Sequence, residues 1–173
     1  MVDFFCVKKK TRRRIFFGIV ALCAFLVAGI AARFLLFPQS PAAIKVYFIK
    51  EGKLYAVDRP LHPKLSPLES AMKELLAGPK PEEGASSELP RGVKILGIKV
   101  RGQTAMIDFN HKLEDCGGGS ARLQGMIAQI VYTATDVPGV EKAWILIEGK
   151  KEVVLGGEGL VLDRPLGRSD LGY

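Results

Sequence analysis

The sequence predicts an α+β domain in which two amphipathic helices pack on one face of a mostly antiparallel sheet, preceded by one N-terminal transmembrane helix. Short segments of alternating apolar residues come in pairs joined by tight turns, which is typical of β-hairpins. Two longer segments repeat apolar residues at helical spacing. The predicted order is strand, strand, helix, strand, strand, helix, strand, strand. Helices dispersed among hairpins favour a sheet covered on one face.

Residues 15–37 form a long apolar stretch that carries no charge until Arg33. At about 1.5 Å per residue, a helix of this length crosses a hydrocarbon core of about 30 Å. Six cations lie in residues 8–14, and cationic flanks remain on the cytoplasmic side. We therefore expect a basic cytoplasmic tail at residues 1–14, a single-pass cell-membrane anchor at residues 15–37, and an extracytoplasmic C-terminal part.

Two alternatives to an uncleaved anchor remain open. A signal peptide cleaved near Ala31 or Ala42 would release a secreted protein. A lipid on Cys23 is the other alternative, although Leu22 stands where a lipoprotein signal has a small residue. We favour the uncleaved anchor, because the apolar part of a cleaved signal usually has about 7–15 residues.

The positive charge of the chain belongs to its N-terminal part. The net charge is +7, and residues 1–40 hold seven of the 25 Lys and Arg but one of the 18 Asp and Glu. The rest is therefore nearly neutral, at +1, and its charges are interspersed without a basic stripe. This distribution argues against a nucleic-acid partner.

A single domain is expected after the anchor. Residues 38–43 combine two prolines with small residues and predict a short linker. About 130 residues then remain, an ordinary size for one domain. We assign residues 44–168 to the extracytoplasmic domain and residues 169–173 to a tail.

The first half of this domain predicts a hairpin and a helix. Residues 44–50 and 54–57 alternate apolar and polar side chains on either side of a turn at Glu51 and Gly52. The helix has a capping box, since Ser66 precedes Pro67 and Glu69 follows three residues later. Its apolar positions and its Gly-Pro end are Leu68, Ala71, Met72, Leu75, Leu76, Gly78 and Pro79.

The second half repeats this order and adds two strands. Residues 93–100 are expected to turn Leu96, Ile98 and Val100 to one face, and after a turn at Arg101 and Gly102, residues 104–109 turn Ala105, Ile107 and Phe109 inward. Ser120 is expected to cap a helix with the apolar stripe Leu123, Met126, Ile127, Ile130, Val131 and Ala134. Residues 143–147, including Trp144, predict a strand buried on both faces that pairs with residues 151–155 across residues 148–150. Residues 160–173 are expected to be irregular.

Reactive side chains cluster at one place, after the fourth predicted strand. Asp108, His111, Asp115 and Cys116 are the types that a thiol protease or a metal site uses. They lie in one polar, glycine-rich loop without a positioned base or oxyanion hole, so we interpret them as a solvated loop. Cys116 is the one thiol of the extracytoplasmic part, where it could cross-link two chains.

Other candidate motifs also have simpler interpretations. The glycines before Ser120 lack the companion residues of a phosphate-binding loop and are interpreted as a flexible linker. The glycines of residues 156–159 are interpreted in the same way. The acidic pairs Glu82 with Glu83, and Glu158 with Asp163, are expected to be solvated charges. We therefore expect no catalytic residues, no metal and no cofactor.

One family resemblance covers residues 44–168. The segments that carry it are Ser66 to Pro79, Leu89 to Leu96, Ala105 to Phe109, Gln129 to Thr135, Val137 to Val140, Ile145 to Gly149 and Pro165 to Arg168. In their order and spacing they resemble the GerMN domain family of sporulation and spore germination proteins. The family commonly has Thr-Leu-Thr where this chain has Thr133, Ala134 and Thr135.

The resemblance implies a bacterial, non-enzymatic, membrane-tethered domain that lies between mother cell and forespore in spore formers. There such proteins help to assemble a multi-protein channel. The expected partners are therefore the membrane and envelope or sporulation-complex proteins, and self-association into a homo-oligomer is left open. The alternative is a module that binds a cell-wall glycan or small ligand, with Tyr47, Tyr55 and Tyr132 as stacking groups.

Overall fold

The computed structural model describes residues 43–117, 119–156 and 160–172. The predicted tail at residues 1–14, the predicted anchor at residues 15–37 and most of the predicted linker lie outside these residues. No helix in the part of the chain that the structure describes is long and apolar enough to cross a membrane.

The first hairpin forms as the sequence predicts. Strands β1 (Ala43–Lys50) and β2 (Lys53–Pro60) pair antiparallel across Glu51 and Gly52. Both turn residues have positive φ, 52° and 74°, which is the conformation of the two-residue turns that match the twist of a hairpin. The alternation in β1 buries Val46 and Phe48 completely.

Helix α1 (Pro67–Ala77) begins at the predicted capping box. The Glu69 N–H donates to the Ser66 Oγ at 3.3 Å, and the Ser66 N–H donates to the Glu69 carboxylate at 2.8 Å. Gly78 ends the helix with a φ of 85°. The predicted apolar face is buried at Leu68, Ala71, Met72 and Leu75.

The second hairpin joins β3 (Ile95–Arg101) to β4 (Thr104–Phe109). Its turn residues are Gly102 and Gln103, one position later than predicted. Ala105, Ile107 and Phe109 of β4 are fully buried, as predicted.

The prediction that Leu96, Ile98 and Val100 share one face is wrong for Leu96. The pairing with β4 shifts register between Ile95 and Gly97, and such a β-bulge interrupts the two-residue alternation of a strand. Ile95 and Ile98 therefore stand opposite the inward residues Phe109 and Ile107. Leu96 is 56% exposed and Val100 is 51% exposed.

Helix α2 (Ser120–Thr135) carries the predicted apolar stripe, and all six residues of the stripe are buried. The predicted cap is wrong by one residue, because Gly119 is the N-cap and Ser120 is the first residue of the helix. The N-cap position needs extended backbone geometry, which Gly119 adopts with a φ of −61° and a ψ of −179°.

The predicted pairing of residues 143–147 with residues 151–155 is also wrong. Strand β5 (Lys142–Ile147) instead runs parallel to β4, and α2 is the crossover between them. Strand β6 (Val153–Leu155) pairs with β7 (Leu160–Leu162), which lies in the segment predicted to be irregular. Parallel pairing places the buried residues Ala143, Ile145 and Ile147 beside Ala105, Ile107 and Phe109 of β4, so apolar residues of both strands join one core.

The architecture is α+β, as predicted, but the strands of the described residues form three small sheets rather than one. Their orders are β1-β2, β3-β4-β5 and β6-β7, and all pairings except β4 with β5 are antiparallel. The two helices pack against each other and against β1, and α2 also packs against β5. One core fills the space between them. Trp144 is half-buried rather than buried, and its indole N–H donates to the Lys151 carbonyl at 3.2 Å.

Candidate functional site

The predicted reactive cluster after β4 does not come together in the structure. The Asp108 carboxylate accepts a hydrogen bond from the Gly149 N–H at 2.9 Å, and so fixes the turn after β5. The exposed His111 ring lies 3.2 Å from the Glu148 carboxylate. Asp115 pairs with Lys112 at 2.7 Å. Each of these groups therefore contacts a partner other than Cys116.

Cys116 is a core residue and not part of a solvated loop, which corrects the sequence interpretation. Its side chain is 1% exposed and packs in the main hydrophobic cluster. Burial raises the pKa of the Cys116 thiol and so favours its protonated form. The protonated thiol is a poor nucleophile, because the thiolate is the reactive form. Its Sγ lies 3.5 Å from the Glu114 carbonyl. In this fold the Cys116 sulfur is therefore not accessible for the predicted cross-link between two chains.

Gly156 is the described residue of the second glycine-rich segment, residues 156–159. Gly156 has a φ of 76°, and a Cβ at this position would collide with the Leu123 side chain. A larger residue here would therefore have to displace the Leu123 side chain, and the positive φ itself favours glycine. Gly118 and residues 157–159 lie outside the described residues, and so does Glu158 of the suggested pair with Asp163. No group of three or more metal-ligating side chains occurs within residues 43–117, 119–156 and 160–172.

A buried ion-pair network, which the sequence did not indicate, lies between β2 and the segment after α1. The Arg59 side chain is 4% exposed, and both terminal nitrogens donate to the Glu83 carboxylate, Nη2 at 2.8 Å. Arg59 Nε lies 3.4 Å from the Glu74 carboxylate, which also contacts His62 at 2.7 Å. The bond from Arg59 lowers the pKa of Glu83. The prediction that Glu83 is a solvated charge is therefore wrong.

Two of the three candidate stacking tyrosines meet at the C-terminal end of α2. The rings of Tyr47 and Tyr132 are 5.5 Å apart, and the Arg168 guanidinium lies 5.6 Å and 4.9 Å from their centroids. The Tyr47 hydroxyl donates to the Asp136 carboxylate at 2.9 Å, and Arg168 donates to it at 3.0 Å. Burial, followed by the bond to Asp136, raises the pKa of Tyr47. Tyr55, on β2, is not part of this cluster.

The same cluster attaches the C-terminal segment to α2. Arg168 donates to the Thr135 hydroxyl at 2.8 Å and to the Tyr132 carbonyl at 3.2 Å. A cation at this position is favourable, because the last carbonyls of a helix carry partial negative charge. We interpret the cluster as a structural contact that attaches the short 3₁₀ turn Arg168–Asp170 to the C-terminal end of α2.

An exposed apolar surface lies beside β3. An open groove of about 570 Å³ runs between α1 and β3, with Leu65, Leu76, Val93, Leu96 and Ile98 among its lining residues. A second depression of about 300 Å³ shares Glu69 and Ile98 with it and extends past Val100 and Val137. We call this continuous surface the β3 groove. Exposed apolar surface of this kind is common where proteins bind partners.

Cations outnumber acidic residues in the β3 groove and on β3. Lys73 of α1 and Lys94 line it, and Lys99 and Arg101 belong to β3 itself. The acidic residue of the lining is Glu69, whose carboxylate accepts hydrogen bonds from the Ser66 N–H and hydroxyl. The signal in the sequence was a run from residue 91 to residue 107 that contains four cations and no acidic residue.

The fold is similar to that of solved sporulation proteins. The first GerMN domain of the sporulation protein GerM from Bacillus subtilis matches with a TM-score of 0.62 and 21% identity, over 75% of this chain and 99% of that domain. The tandem GerMN domains of the same protein match with a TM-score of 0.61 and 24% identity, over 78% of this chain and 48% of theirs. At these identities the likeness establishes the fold alone.

A match to a protein-family model identifies the family of the chain as well as its fold. No curated protein sequence matches the chain. The model of the Germane family, described as sporulation and spore germination, matches residues 45–153. These residues span β1 to the start of β6 and include α1, α2 and the β3 groove. The chain therefore belongs to the Germane family of sporulation and spore germination domains.

Proposed function

We propose that the chain is a non-enzymatic envelope protein, anchored in the cell membrane by residues 15–37, whose extracytoplasmic domain assists the assembly of a protein complex. The observation that carries the proposal is the β3 groove, an exposed apolar surface with a basic rim on a domain of a sporulation and germination family. The sporulation context of the solved relatives is consistent with this role.

The chemistry of the described side chains supports binding rather than catalysis as the activity of the domain. The thiol that a nucleophilic mechanism would use is buried, and the nearby histidine contacts a glutamate instead. Nucleophilic catalysis needs a nucleophile and a base within hydrogen-bond reach of each other. The proposal therefore places the activity of the domain on its surface.

The proposed topology follows from the distribution of charge in the sequence. Six cations precede the apolar stretch at residues 15–37, which favours a cytoplasmic N-terminus. A reporter enzyme that is active only outside the cytoplasm, fused after Tyr173, tests this orientation. Activity supports it, and an inactive, full-length fusion in the membrane fraction contradicts it.

Cross-linking in native membranes tests the assembly role. The full chain with a C-terminal tag is cross-linked in cells of its host, purified and compared with a control chain whose residues 44–168 are replaced by an unrelated domain. We expect envelope proteins to be recovered with the natural chain and not with the control. Recovery of the tagged chain alone from both samples contradicts the proposal.

The alternative role as a glycan-binding module relied on three stacking tyrosines. Two of them, Tyr47 and Tyr132, contact each other and Arg168, so their faces are engaged within the domain. Titration with peptidoglycan fragments distinguishes the two roles. The assembly role predicts no saturable binding of these fragments.

A further inference from the structure

We propose that the β3 groove receives an extended segment of a partner protein, which adds to β3 as a further strand and carries acidic residues among its apolar ones. This inference rests on the proposed role in complex assembly and identifies the docking surface. Three features of the molecule support it: an unpaired strand edge, an apolar surface beside this edge, and an excess of cations over acidic residues around it.

The outer edge of β3 is available for strand addition. β3 lies at one end of the order β3-β4-β5, and no described strand pairs with its other edge. A two-residue turn joins β3 to β4, and residues that flank such a turn form a hydrogen-bonded pair. Arg101 and Lys99 thus direct their backbone groups to β4, whereas Val100 and Ile98 direct theirs outward. These outward groups can bond to the backbone of an added strand.

The outer edges of β1 and β5, by contrast, have hydrogen-bond partners within the domain. The Tyr47 N–H donates to the Thr133 hydroxyl at 3.0 Å, and the Tyr47 carbonyl accepts from the Gln129 side chain at 3.2 Å. On β5, Ala143 exchanges two backbone hydrogen bonds of 2.8 Å with Leu166. Proteins usually cover or blunt such edges. The outer edge of β3 has no such strand partner among the described residues, and it lies beside an apolar groove.

The groove supplies the side-chain contacts that strand addition needs. Ile98 is half-buried between the strand edge and α1, and Val100 next to it is 51% exposed. Leu65 and Leu76 form the opposite wall, on and before α1. In this mode of recognition, backbone bonds provide affinity and the alternate side chains provide specificity. Apolar residues at every second position of the partner would face this surface.

The charges select an acidic partner over a second copy of the chain. Residues 91–107 contain Arg91, Lys94, Lys99 and Arg101 and no acidic residue. Lys73 adds a cation on the α1 side of the groove. Two copies that paired through β3 would bring these cations against each other, and like charges on neighbouring strands are destabilising. Glutamate or aspartate between the apolar residues of the partner would complement them.

A fluorescent peptide tests the proposal. The probe alternates valine and glutamate over seven residues, the length of β3, and its anisotropy is titrated with the full chain in phosphatidylcholine nanodiscs. Val100→Pro removes one outward N–H without changing the charge, and proline is tolerated on the open side of an edge strand. Val100→Glu places a negative charge in the groove. The matched control is Val154→Glu, since Val154 is an equally exposed apolar residue on β6.

We expect the probe to bind the natural chain and the Val154→Glu variant equally. Both Val100 variants should weaken binding about tenfold, and a probe with lysine in place of glutamate should not bind. Attraction to the basic tail at residues 8–14 would be the same in all variants, so the comparison separates it from the groove. Melting temperatures within a few degrees of the natural chain show that the variants are folded.

Three results would overturn the proposal. The first is the absence of probe binding, and the second is equal binding by the natural chain and both Val100 variants. The third is a dimer in light scattering that Val100→Glu dissociates, which would identify the occupant as a second copy. If cross-linking in membranes still recovers envelope proteins after any of these results, the assembly role stands and only the docking surface is wrong.

Discussion

Arg59 and Glu83 form a bidentate ion pair that connects β2 to the 3₁₀ turn Pro81–Glu83, which follows α1. Arg59 Nη2 lies 2.8 Å from Glu83 Oε2, and the second hydrogen bond joins Nη1 to Oε1. Both side chains are largely buried, and the Arg59 guanidinium also lies 5.8 Å from the centre of the Phe48 ring. The two opposite charges compensate each other in this buried position. Removal of one of them would leave the other buried without an opposite charge, which is destabilising.

Glu83→Gln should therefore destabilise the domain by about 1–3 kcal/mol, since Arg59 loses its charge-assisted partner. Chemical or thermal unfolding followed by circular dichroism measures the change. Glu82→Gln is the matched control, because Glu82 is exposed and adjacent in sequence. An equal effect of the two substitutions would mean that the ion pair contributes nothing.

The same pair predicts that stability decreases in acid. The pKa of Glu83 is held below its ordinary value of 4.5 by the hydrogen bond from Arg59. A carboxylate with a lowered folded-state pKa stabilises the fold above its unfolded-state pKa, and this contribution is lost as the pH falls through the folded-state value. Melting temperatures should therefore fall from about pH 5 downwards, and the fall should be shallower in Glu83→Gln. Identical pH profiles would contradict this assignment.

Gln129→Leu should cost roughly 2–4 kcal/mol, because two backbone groups would lose their partner. The Gln129 side chain is fully buried, accepts from the Glu88 N–H at 2.8 Å and donates to the Tyr47 carbonyl. Gln124→Leu, at an exposed position of the same helix, should be nearly neutral. Unfolding midpoints of the two variants give the comparison, and similar losses for both would show that the hydrogen bonds are not responsible.

Cys116 should be protected from alkylation in the native protein. Its thiol is buried and burial raises its pKa, whereas reaction requires an accessible thiolate. Iodoacetamide labelling, with the modified cysteine identified by peptide mass, should be slow at Cys116 until denaturant unfolds the domain. Rapid labelling under native conditions would show that the loop opens or that the thiol is exposed.

Local signals in the sequence predict the helices well. The capping box at Ser66 and Glu69 and the stripe from Leu123 to Ala134 are properties of a single segment, and both are present. The strand pairing of β5 depended on distant residues, since its partner β4 lies on the other side of α2. A period-two pattern also cannot reveal a bulge, which is why Leu96 was predicted to share the face of Ile98 and Val100.

The candidate sites were less predictable than the fold for a similar reason. Arg59 and Glu83 are 24 residues apart, and neither side chain has a local feature that indicates burial. The β3 groove requires α1 and β3 to be neighbours in space, although the acid-free run of residues 91–107 was visible in the sequence. Most of what failed was the inference of contacts between segments, although the strand β7 was also missed in the segment predicted to be irregular.

The parallel pairing of β4 and β5 constrains the order in which the molecule can fold. Because α2 is the crossover, residues 142–147 reach their place beside residues 104–109 only after the whole helix has been synthesised. Until then one side of β4 has no neighbour, and its apolar residues Ile107 and Phe109 are open to unwanted association. A newly made chain is therefore most vulnerable to aggregation in the interval between synthesis of β4 and synthesis of β5.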